Sequence, residues 1–132
     1  MAFIPYKYDG GKNVSIKLAV SQTVVNGDTL NWTSNYLAVG VADDETDDFV
    51  ALQDVTTSAS QHTEVLCVPA FRSGIQFLVD TSADTAVTDL GVAYELSTKG
   101  VLDNAATAAA NGFIVEEIVG AAADRKVVGH WR

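Results

Sequence analysis

Asp80-Thr81-Ser82 holds the most chemical promise in this chain of 132 residues. It closes the apolar run Ile75–Val79 and is followed by Ala83-Asp84. Its Asp80 and Thr81 make it the one tripeptide in the chain that could be read as catalytic. Without catalysis, the same residues end a strand: Asp, Thr and Ser side chains bond nearby backbone and open a turn.

Other chemistries find no constellation. His62 and His130 lie far apart, and neither has a ligand neighbour at metal-binding spacing. No Gly-x-Ser-x-Gly elbow, phosphate loop or dinucleotide fingerprint occurs. The single cysteine, Cys67, sits in the apolar run Val65–Val68 with no neighbouring cation to activate its thiol. It reads as a small buried hydrophobe and fits a reducing compartment. Asp43–Asp48 carries five carboxylates in six residues. Calcium takes oxygen ligands of this kind, but the EF-hand spacing and its turn glycine are missing. A solvated loop, or contact with a basic partner, is expected there. No cofactor and no metal are expected.

Composition sets the class. The chain is 48% hydrophobic, 19% charged and carries a net charge of −9. That is too apolar for disorder and too acidic for a nucleic-acid backbone. So little charge leaves apolar surface for a protein partner. The first residues lack a basic start and an apolar core of signal-peptide type, and no run approaches a membrane span. Neither secretion nor a membrane is therefore expected. Eighteen Val and twelve Thr favour strands, because branching at Cβ suits a pleated surface.

The elements that must position these residues are short strands. Residues 1–12 stand apart, with Phe3, Ile4, Tyr6 and Tyr8 ahead of Gly10-Gly11. They read either as an extended arm with aromatic anchors for a partner or as an edge strand on the chain's own domain. The chain accordingly divides into 1–12 as arm and 13–132 as one β domain. Val14, Ile16, Leu18 and Val20 alternate with polar or small residues, as a half-buried strand does. Asn26-Gly27 predicts a type I′ hairpin into Thr29–Trp32. Further strands are expected over Tyr36–Val41, Phe49–Val55, Thr63–Phe71, Ile75–Val79, Val92–Leu96, Phe113–Val119 and Arg125–Trp131. Apolar residues at both parities in Thr63–Phe71 predict that both of its faces are covered. Asp103-Asn104-Ala105 through Asn111-Gly112 predicts a short capped helical turn or compact loop. The sum is an all-β fold, a small barrel or sandwich of about eight to ten short strands.

Two resemblances add to this reading. Phe77-Leu78-Val79-Asp80-Thr81-Ser82-Ala83-Asp84 resembles the active-site segment of retroviral-type dimeric aspartic proteases, and Val127-Val128-Gly129 looks like their apolar-apolar-Gly motif. The chain departs from that family in having Ser82 where glycine is usual, Asp80 late in the chain, and a poor flap. A second likeness covers about residues 26–130: Asn26-Gly27-Asp28-Thr29-Leu30, Gly91-Val92-Ala93-Tyr94, Gly100-Val101-Leu102-Asp103-Asn104-Ala105, and Gly120–Gly129. This cadence resembles the head decoration (cement) proteins of tailed phages. It implies a non-enzymatic virion protein, made in the host cytoplasm and placed on the capsid exterior. Its partner would be the major capsid protein, and it would form a homo-oligomer, a trimer at three-fold positions. The protease resemblance implies a dimer whose paired carboxylates share a proton, with Asp80 as catalytic acid and Thr81 as its supporting residue. It stands as the alternative, with another virion β component for tail or fibre attachment as a third.

Overall fold

A computed structural model of the chain describes residues 3–6, 13–41, 46–71, 73–98, 100–108 and 111–132. The fold is all-β. In chain order its strands are β1 (Ile4–Tyr6), β2 (Val14–Lys17), β3 (Thr23–Val24), β4 (Thr29–Thr33), β5 (Tyr36–Val39), β6 (Phe49–Ala51), β7 (Val55–Thr56) and β8 (Glu64–Pro69). There follow β9 (Gln76–Thr81), β10 (Ala93–Thr98), β11 (Val101–Thr107), β12 (Phe113–Val119) and β13 (Lys126–Trp131). The helical pieces among the described residues are two 3-10 turns, Val87–Asp89 and Ala122–Asp124.

Five strands close a barrel in the order β9-β11-β10-β12-β13, with β13 returning to β9. The β9–β11 pairing is parallel; the others are antiparallel. β9 shares one of its edges between two neighbours. Its first half pairs with β1 and its second half with β11. A second sheet runs β2-β8-β6-β4-β5. Its ends meet through a parallel bridge, Leu18 to Leu37, where Ala19 N donates to Leu37 O at 2.8 Å. A ribbon of β3 and β7 completes the pairing.

Strand periodicity explains how two cores form. Neighbouring residues in a strand face opposite sides. Ala51, Val65 and Cys67 fill the second sheet's interior with Leu18, Leu30 and Leu37. Their neighbours Val50 and Val68 pack on the first core. Both faces of Thr63–Phe71 are thus covered, as its apolar residues at both parities require. The first core holds an aromatic cluster. Phe3 lies 5.3 Å from Phe113, 5.3 Å from Trp131 and 6.2 Å from Phe77 between ring centroids.

Three local expectations are corrected. The Asn26-Gly27 turn between β3 and β4 does not close a hairpin: β3 pairs with β7 instead. Of the two central turn residues only Gly27 has positive φ (92°), and Asp28 N donates to Val25 O, so the turn is of type II rather than I′. Residues 103–107 continue a strand, β11, because Val101 and Leu102 pair beside Asp80 and Thr81 and draw the following residues into the barrel wall. Phe49–Val55 divides between β6 and β7, pairing with different sheets. The strand count rises accordingly, through pieces of two or three residues that carry little periodic signal.

Candidate functional site

Asp80 is the penultimate residue of β9, on its outward parity, and pairs in register with Lys126. Directly opposed residues on neighbouring strands share a face. Lys126 Nζ accordingly donates to Asp80 Oδ1 at 2.6 Å. Thr81 points inward, is buried, and donates its hydroxyl to Ala83 O at 2.6 Å. Ser82 Oγ lies 3.2 Å from Asp103 Oδ1. The tripeptide therefore does what a strand end does: its hydroxyls and carboxylate bond local backbone and the adjoining strands.

The segment after it is tightly held. Asp89 is buried, and its carboxylate accepts from Ala86 N at 2.8 Å, Tyr94 Oη at 2.8 Å and Asn104 Nδ2 at 3.4 Å. Asn104 also receives Ala83 N at 3.0 Å and donates to Asp84 O at 3.2 Å. Burial, then the hydrogen bond to and the charge of Asp89, push the Tyr94 phenol up to about 12. The Asp-Asn-Ala sequence of β11 thus clamps the loop that follows β9.

Arg125 completes the arrangement. It is a non-glycine residue in the left-handed region (φ 54°), immediately before β13. Such a residue interrupts the alternation of a strand. Arg125 and Lys126 therefore line the same cavity, of about 320 Å³, with Asp80, Thr81, Ser82, Val101 and Asp124. Arg125 Nε donates to Asp84 Oδ1 at 2.8 Å. Nothing in the sequence pattern announces Arg125, since its role depends on that one backbone angle.

The arm residues divide. Phe3 is buried in the chain's own barrel, and its N–H donates to Gly27 O at 3.0 Å. Its side chain packs in the core. Ile4 is 53% exposed, and Tyr6 is half-buried. Tyr8 lies outside the described residues. Of the two readings of this segment, residues 4–6 adopt the edge strand, as β1 on β9. Phe3, Ile4, Pro5, Asn26 and Leu52 line a second cavity of about 360 Å³.

The remaining candidates are placed as follows. Cys67 is buried, donates to Val14 O at 3.6 Å, and has its thiol pushed up to about 12 by burial. His62 stacks on Tyr36 at 3.6 Å between centroids and bonds Leu18 O. His130 bonds Glu116, the extra residue at a bulge in β12. Asp43, Asp44 and Glu45 lie outside the described residues. Asp47 accepts from Asn31 Nδ2 at 2.9 Å, and Asp48 accepts from Trp32 N at 3.0 Å. Among the described residues no group of three or more His, Cys, Asp or Glu side chains is placed to hold a metal. Among the described residues, too, no helix is long and apolar enough to cross a membrane. No protein-family model matches the chain, and no curated protein matches it significantly.

Proposed function

We propose that the chain is a structural protein of a phage virion. It binds the outside of the capsid and stabilises the shell by bridging capsid subunits, acting as a homo-oligomer, a trimer by resemblance. The observation that carries this reading is the apolar surface beside the arm. Ile4 stands exposed on β1 at the edge of a cavity walled by Phe3, Pro5 and Leu52. Val25, next to the cavity residue Asn26, is 48% exposed. Exposed apolar groups around a preformed recess favour a protein partner. The decoration-protein cadence over residues 26–130 supports the same reading. So do the acidic charge and the sparse charged content.

The protease alternative is weakened by the surroundings of Asp80. A dyad carboxylate shares a proton with a second carboxylate. Asp80 instead faces the ammonium of Lys126 at 2.6 Å. No observation favours a tail or fibre location over the shell.

Deleting residues 1–12 would also remove Phe3 from the core, so a point change is the cleaner test. Ile4→Glu keeps the fold, because the side chain already meets water. Its co-sedimentation with capsids drops relative to wild type. Full retention of binding by a folded Ile4→Glu protein would remove the arm from the interface.

A further inference from the structure

One end of the first barrel is built from two loops, residues 82–91 and 120–125. Thr85 N donates to Ala122 O at 3.1 Å, and Arg125 ties to Asp84, so the two form one surface. This surface is apolar at its crest. Val87 is 76% exposed and Leu90 43% exposed, with Ala86 and Ala122 exposed beside them. The crest is also rigid, because the Asp89 carboxylate is held by Ala86 N, Tyr94 Oη and Asn104. Apolar side chains fixed in water on a preorganised loop lose little entropy when a partner covers them.

Next to the crest lies the charged cavity of about 320 Å³. Its two cations are already engaged, Lys126 by Asp80 and Arg125 by Asp84. Asp124 in the wall and Asp103 at Ser82 add carboxylates with no cation of their own among these contacts. Among the described residues, Asp84 at Arg125 and Asp103 at Ser82 join the wall's Asp80 and Asp124 to outnumber Arg125 and Lys126, so the described balance is negative, as is the chain's net charge of −9. An anion would be repelled here, and so would a second copy presenting the same surface.

We propose that this barrel end docks a protein segment that carries a basic side chain, Lys or Arg, beside an apolar residue. The apolar residue covers Val87 and Leu90. The basic group enters the cavity against Asp80 and Asp124. The inference deepens the capsid reading and rests on it only for the partner's identity, a capsid subunit; a bridging protein needs such a second contact besides its arm. The chemistry of the site is testable without capsids.

The probe is N-acetyl-arginine methylamide, titrated into the full chain at low salt and followed by amide NMR. N-acetyl-glutamine methylamide serves as the uncharged control. The arginine probe is expected to shift the amides of Thr81, Ser82 and Ala121–Lys126, and the glutamine probe to leave them in place. High salt or Asp80→Asn should remove the effect. Shifts that are absent, equal for both probes, or centred elsewhere would overturn the proposal. Val87→Glu should keep the arginine shifts and weaken capsid binding about tenfold or more. Unchanged capsid binding by Val87→Glu would also overturn it. If the arginine shifts appear but wild-type protein binds no capsid, the site stands and the capsid reading falls.

Discussion

Asp80 and Lys126 face each other across β9 and β13, with Lys126 Nζ 2.6 Å from Asp80 Oδ1. The pair makes Asp80 part of a cross-strand contact at the rim of a cavity. Both side chains are partly exposed, so the pair contributes only about 0–1 kcal/mol. Asp80→Asn is expected to lower stability by no more than that in urea denaturation. It is also expected to leave the protein without any peptidase activity to lose. Cleavage of a peptide library at acid pH by wild type, abolished in Asp80→Asn, would restore the protease reading.

Phe3 is the residue that fastens the arm. It sits against Phe77, Phe113 and Trp131 and is 1% exposed. Phe3→Ala leaves a cavity among three rings, at a cost of about 3–5 kcal/mol. The midpoint of chemical denaturation should fall accordingly. An unchanged midpoint would mean that the arm does not pack on its own barrel in solution.

Gly129 marks the tightest passage between β12 and β13. A Cβ there would overlap the Ile114 carbonyl oxygen and stand 2.7 Å from the Phe113 ring. Gly129→Ala must therefore push β12 and β13 apart or displace a core aromatic. Overpacking of this kind costs about 1–3 kcal/mol or more. Thermal melting should show the loss, while Gly91→Ala tests a different cost. Gly91 has open space around it but a φ of 76°, so its penalty is conformational.

Tyr94 and Cys67 make stability fall at alkaline pH. Both are held protonated to about pH 12, above their ordinary values of 10.0 and 9.0. Well below pH 9 both groups are protonated in the folded and unfolded chain alike, and their contribution is complete. As pH rises from 9 towards 12 the unfolded chain releases protons that the folded chain keeps, so stability falls. Tyr94→Phe removes one of these groups and also a donor to the buried Asp89, costing about 1–3 kcal/mol near neutrality. The deficit of Tyr94→Phe against wild type should shrink between pH 10 and 12. Urea titrations across that range check the sign.

How much was readable beforehand varied with the physics involved. Alternation identified β2 and β9, because each keeps its period; β12 and β13 were legible as apolar runs, although a bulge at Glu116 and the buried run Val127–Gly129 break their period. The two-sided burial of β8 was visible in the apolar residues Val65, Cys67 and Val68 at both parities. The partner of β3 was not: Asn26-Gly27 is a strong local signal, and tertiary pairing with β7 overrode it. β11 was hidden because Ala105 and Ala106 carry no period, and its place depends on a parallel contact with β9. At the candidate site, Asp80 and Thr81 were legible by type alone. Arg125 and the Asp89–Tyr94–Asn104 clamp were not, since they meet only through closure of the barrel.

The central claim is that this chain binds the exterior of a phage shell. Co-sedimentation of the purified full chain with phage capsids freed of bound decoration proteins tests this most directly. Saturable binding is predicted, with density on the outer surface in electron microscopy and raised resistance of the shell to heat. Absence of binding, or density confined to the tail, would contradict it.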